Sequence, residues 1–485
     1  MDLDAYRAQA ERFVSDLDRE YYLHFSGQQE SYEVERIYES HADLFSREAV
    51  EQLREGDARL LLEFAVQGLI GRETSSEQAE LARRESDLEI EVDGERIPYR
   101  SAAVAQANES DPARRQAIET ARNAAVEEQL NPTLRELLQR SHAIAGELGW
   151  ASMRALCEEL SGIDLGALVE QTEGFLRATE DGYRDVLQPQ LESQLGFGFE
   201  RLRRSDLAAF FRAASLDQRF QADRLLPSLT ETLAGMGIDI ESQDGVTLDT
   251  EARPTKSPRA FCAPVRAPGE VYLVISPIGG RDDFAALFHE AGHTEHYAHV
   301  DAGLPVEERL FGDNSVTEGF AFLMEHLVSR PAWLERRLGV EDPGEVLAHS
   351  KAVKLLFLRR YCAKLAYELE LHESPPSLDG MRDLYGRRLS EAVGVDWPST
   401  GWLNDVDPFF YAARYLRAWA LETQLRRLLS ERFGEAWFDE EGAGKLLRGL
   451  WRQGQAQDAG ELLAQLSGSE LDFSALEAEL VGQPS

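Results

Sequence analysis

The chain has 485 residues, 43% of them hydrophobic and 9% aromatic, which is ample for a sizeable packed core in two or three domains and excludes a disordered chain. Its 51 Lys and Arg stand against 87 Asp and Glu, a formal net charge of −36, and such a field repels nucleic acid and anionic lipid surfaces. Cys157, Cys262 and Cys362 are odd in number and widely spaced, so no disulfide framework is expected and a reducing compartment fits best.

The opening Met1-Asp2-Leu3-Asp4 has acid where a secretory signal carries basic residues. No apolar run reaches the ~18 residues of a membrane span. The expectation is a cytoplasmic protein with neither nucleic acid nor membrane as partner. The acid is spread along the chain and the cations are nearly all Arg, which describes a solvated acidic surface suited to a salty cytoplasm or to high solubility.

From residue 1 to about 235 apolar residues recur at three- and four-residue spacing, as in Ala49-Val50-Glu51-Gln52-Leu53, and predict a helical N-terminal lobe. One interruption, 88–99, alternates apolar and acidic residues around Asp93-Gly94, the pattern of a β-hairpin. Between about 236 and 280 Gly, Pro and β-branched residues predict a small sheet, with strands at 270–276 and at Arg259-Ala260-Phe261-Cys262-Ala263. A helix is then expected from about Phe284 to Val300, capped by Asp282 or Asp283, and helices again from Ser315 onward. Residues 236–485 thus read as a second, catalytic lobe.

The chemistry concentrates in Phe288-His289-Glu290-Ala291-Gly292-His293, an H-E-x-x-H pattern within the expected helix. Histidines four apart share one helix face, so both imidazoles can reach one Zn²⁺ while Glu290 accepts a proton from water. His296 and His299 extend the segment; His296 could contribute to the site rim but is expected to face solvent, because a catalytic zinc takes three protein ligands. In Asn314–His326, Glu318 and Glu325 stand seven apart on one face of an apolar stretch, which suits Glu318 as third ligand and Glu325 as a partner that orients a ligand histidine. The bland alternatives are that Ser315-Val316-Thr317-Glu318 is a capping box and that Glu325 is a surface residue.

These residues resemble the thimet oligopeptidase, neurolysin and oligoendopeptidase F group of zinc peptidases, in which H-E-x-x-H is followed about two dozen residues later by a ligand Glu and two turns beyond by a supporting Glu. The likeness is specific over about 255–330 and diffuse elsewhere, including 131–150. It implies a mainly α, two-lobed fold around a deep central cleft with a small sheet beside the active site. It also implies one Zn²⁺ per chain, held by His289, His293 and Glu318, and short peptides as substrates.

Members of this group place a His and several Tyr near the C-terminus to stabilise the oxyanion. The matching stretch is Asp407–Trp419, where Tyr415 and, less closely, Tyr411 match; the upstream His is absent, since the last His is His372. Arg414 or Arg417 could help Tyr415 stabilise negative charge, and the Arg414-Tyr415 pair also resembles dipeptidyl carboxypeptidases of the angiotensin-converting type. Packing and surface roles are the alternative for these residues. Cys262 carries no accompanying base and is not expected to be a nucleophile. Three functions therefore stay open: a metallopeptidase acting as an oligopeptidase or exopeptidase, a zinc-binding but catalytically weak peptide binder, and a helical interaction protein.

Overall fold

The computed structural model describes residues 1–56, 58–373 and 378–482, and it is mainly helical with two small sheets. The helices used below are, in chain order, α1 (Leu3–Phe25), α2 (Asn131–Glu147), α3 (Leu165–Leu195), α4 (Arg281–His299), α5 (Asn314–His326), α6 (Gly344–Leu371), α7 (Tyr411–Phe433) and α8 (Glu441–Trp451). Among the described residues no helix is long and apolar enough to cross a membrane, and none of the three cysteines is paired.

Two compact units emerge, one of residues 1–68, 216–347 and 414–476, the other of 69–215, 348–413 and 477–485. Each unit draws on residues from both sides of position 235, because local texture reports which element a stretch forms and not which distant stretch it packs against.

In the first unit a three-stranded sheet has the order β3 (Val246–Asp249), β5 (Glu270–Val274), β4 (Phe261–Arg266), with β3–β5 parallel and β4–β5 antiparallel. Alternate residues Phe261, Ala263 and Val265 are buried, and α1 lies on the sheet through Tyr22, stacked on Tyr272 at 3.7 Å, and Tyr21, edge-on to Phe261. β4 therefore forms one edge of the sheet.

The helix that carries the H-E-x-x-H residues is not capped by Asp282 or Asp283. Its N-cap is Gly280, and the Asp283 carboxylate instead accepts the Ile278 and Gly279 amides at 2.8 Å, closing the loop that feeds the helix. Helices α4 and α5 meet backbone to backbone at Gly292. A Cβ there would come within 2.6 Å of Ala321 Cα and 2.7 Å of the Phe320 carbonyl oxygen. Gly319 likewise admits Leu421 of α7.

In the second unit β1 (Glu89–Val92) and β2 (Glu95–Pro98) form the expected antiparallel hairpin, with Asp93 (φ 54°) and Gly94 (φ 82°) both left-handed at the turn. Its buried residues Ile90, Val92 and Ile97 pack with Ala102, Ile118 and Ala125. Arg359 of α6 is buried against α3, donating to Thr179 Oγ1 and the Leu176 carbonyl, and also to the Ala392 carbonyl. At the end of α6, His372 Nδ1 lies 2.8 Å from His142 Nε2 of α2, so one ring donates and the other accepts.

Two outcomes follow. Gly292→Ala must drive α4 and α5 apart, and thermal unfolding should show a loss of about 1–3 kcal/mol. In the His142–His372 pair burial lowers both pKa values, to about 4 and about 3, so folded rings stay neutral while unfolded ones take up protons below about 6.5. The unfolded chain then binds more protons, and stability contributed by the pair falls as pH drops from about 6.5 toward 4. The decrease in melting temperature between pH 7 and 4.5 should therefore be smaller in His142→Gln than in the native chain.

Candidate metal centre

Because α4 and α5 touch at Gly292, residues on their facing surfaces are brought to contact distance. His289 and His293, one turn apart on α4, have ring centroids 5.0 Å apart, and Glu318 projects between them from the first turns of α5. Glu318 Oε2 is 3.4 Å from His289 Nε2 and 3.7 Å from His293 Nε2, and one ligand atom from each residue lies within 4.8 Å of the others. Tetrahedral ligands with bonds of about 2.0–2.1 Å stand roughly 3.3 Å apart, so two imidazoles and a carboxylate in this arrangement fit a zinc ion with little adjustment.

The outer ring nitrogens are engaged as a metal site requires. His289 Nδ1 is 2.9 Å from Glu325 Oε2, and His293 Nδ1 is 2.8 Å from Thr317 Oγ1. Donation to Glu325 from Nδ1 fixes the His289 tautomer whose Nε2 can bind a metal once the proton it holds toward Glu318 is displaced, and the Thr317 hydroxyl can fix His293 in the same tautomer. Glu325 is thus no ordinary surface residue. Nor is Glu318 part of a capping box: the N-cap of α5 is Asp313, which accepts the Ser315 amide at 2.9 Å, and Glu318 is buried at the centre of the cluster.

Burial opposes a charge on His289, but its bonds to Glu318 and Glu325 outweigh this and lift its pKa to about 10. Burial takes His293 down to about 4 and pushes the Glu290 carboxyl up to about 7, against the pull of His289 and of a backbone bond. That bond comes from the edge strand: the Cys262 amide donates to Glu290 Oε2 at 2.9 Å. Burial pushes the Cys262 thiol well above its ordinary range.

The remaining expected residues fall in different places. His296 does not face solvent: it is fully buried, bonded through Nε2 to the Gly454 carbonyl at 3.2 Å, and burial lowers its pKa to about 3. Its face of α4 is covered near α8, where His299 packs 5.3 Å from Trp451. Arg414 is buried in an ion pair with Glu63, and Arg417 binds Asp313 at 3.2 Å, so neither guanidinium is available at the cluster. Tyr415 leans on Phe322 at 6.0 Å, and Phe322 in turn lies 5.2 Å from the His289 ring, so Tyr415 is one ring removed from the ligands. Tyr411 belongs to the other unit.

Three participants escape sequence reasoning. Thr317 and the Cys262 amide carry no residue pattern of their own. Tyr297, stacked 6.4 Å from His293, could have been found as the next residue at i+4 on the ligand face. No protein-family model matches the chain, and no curated protein matches it.

Removing either outer partner should loosen the cluster without deleting a ligand. Zinc affinity, measured by competition with a chromogenic chelator, should fall about 10–100-fold in Glu325→Ala and in Thr317→Ala. Glu318→Ala, which removes one of the three groups that could hold the metal, should fall further than either.

Proposed function

We propose that this chain is a zinc-dependent peptidase that hydrolyses peptide bonds in short peptides, akin to the thimet oligopeptidase, neurolysin and oligoendopeptidase F group. The observation that carries the proposal is the convergence of His289, His293 and Glu318, each histidine bonded behind the ring, with a carboxylate beside them that is not a ligand. The family's two-lobed helical architecture and central cleft belong to the same reading.

When bound, zinc supplies Lewis acidity, polarising a carbonyl and acidifying water. Its ligands in this chain are His289, His293 and Glu318. Glu290 acts as general base, taking the proton from the attacking water and returning it to the leaving amine. The Cys262 amide restricts the Glu290 carboxylate to the side of α4 that faces β4, so the base is oriented before substrate arrives. Tyr415, packed behind Phe322, is the residue of the C-terminal stretch that this reading assigns to stabilising a developing oxyanion.

A zinc-binding, catalytically weak peptide binder is favoured by one observation: Arg414 and Arg417 are both engaged with carboxylates away from the cluster. Metal analysis combined with cleavage of a quenched fluorescent peptide library separates the two readings. The peptidase reading expects one zinc per chain in the native protein and in Glu290→Gln, with cleavage reduced by at least about 10²-fold in the variant. Zinc in both with cleavage in neither would replace it with the binder, and a chain that takes up no zinc would end both.

A further inference from the structure

Beside the cluster lies a cavity of about 370 Å³, walled on one side by His289, Glu290 and Glu325 and on the other by the loop 258–260 that leads into β4. Its volume falls at the small end of the range that accepts small ligands, so a short peptide fragment fits.

The acids around it have partners. Glu325 is held by His289 Nδ1, Asp283 accepts two loop amides, and Asp282 lies in the field of Arg281. Arg259 is different. Among the described residues no hydrogen bond, ion pair or ring contact engages its guanidinium, although the chain carries 36 more acidic than basic residues. Its backbone, in contrast, is fixed. The Arg259 amide donates to Ser257 Oγ and the Arg259 carbonyl accepts from that hydroxyl, both at 3.2 Å, while the Ser257 amide donates to the Phe25 carbonyl at 2.7 Å. An anchored backbone presenting an unengaged guanidinium at a cavity wall is a ready receptor for an anion. The planar fork matches a carboxylate in two parallel hydrogen bonds.

Every unmodified peptide carries one carboxylate at a fixed place, its C-terminus. We propose that Arg259 anchors the C-terminal carboxylate of the substrate in this cavity, which makes the enzyme an exopeptidase that cuts close to the C-terminal end. The inference rests on the peptidase reading and narrows it: a terminus held at Arg259 leaves room for only a short segment before the carbonyl that faces Glu290 and the ligand cluster.

Binding and cleavage test the two separately. Calorimetry on zinc-loaded Glu290→Gln would compare one short peptide as the free acid, as the C-terminal amide, and as an amide with an internal Glu added. A charge-assisted pair predicts that amidation weakens binding roughly 10-fold or more. The added Glu should not restore it, Arg259→Gln should erase the difference, and Arg259→Lys should keep part of it. The native protein should release short C-terminal fragments from free-acid peptides, read by mass spectrometry. Equal binding of acid and amide, a difference that survives Arg259→Gln, or recovery through the internal Glu would overturn the anchor, even with cleavage intact. A binding contrast that depends on Arg259 without any cleavage would uphold the anchor and overturn the peptidase reading.

Discussion

Everything at the ligand cluster depends on two helices approaching until their backbones touch. At Gly292 there is no space for even a methyl group between α4 and α5, and this contact fixes the height and rotation at which Glu318 meets the two imidazoles. Packed interiors deform little, so the geometry of the cluster is inherited from helix packing rather than from the flexible side chains themselves. Gly319, admitting Leu421, extends the same logic to the other side of α5, so the helix bearing the carboxylate is wedged between two neighbours.

The second organising feature is the use of arginine to neutralise buried acid. Arg414 meets Glu63, Arg426 meets Glu422, and within the other unit Arg115 meets Asp206, all with little exposure. Buried pairs of this kind add little net stability, but losing one partner strands a charge in a medium that solvates it poorly. The guanidinium suits the task because it keeps its proton and offers several directed donors.

Much of the helical architecture and the core of the cluster could be read from residues alone, for a definite reason. The pairing of His289 with His293, and the spacing of Glu318 and Glu325, are consequences of helical repeat, and the Asp93-Gly94 hairpin is set by local backbone preferences. What could not be read depends on contacts between distant segments. Arg414 looked available because its partner Glu63 is 351 positions away, and His296 looked exposed because the Gly454 backbone that covers it is 158 positions along. The Cys262 amide is invisible to any residue pattern, since every non-proline residue has one. The sequence texture that changes near 235 follows a switch from helix to strand, and the packing units cut across it.

The bond from Cys262 to Glu290 has another side. An edge strand offers its unpaired amides and carbonyls to any extended chain that drifts by, including another copy of the same protein, and exposed edges are where sheets nucleate association. Here β4 is such an edge, yet α4 lies along it and the Glu290 carboxylate occupies the amide at its second residue. The same contact that holds the Glu290 carboxylate thus blunts a site of self-association, and a chain that lost this carboxylate would carry a stickier sheet edge.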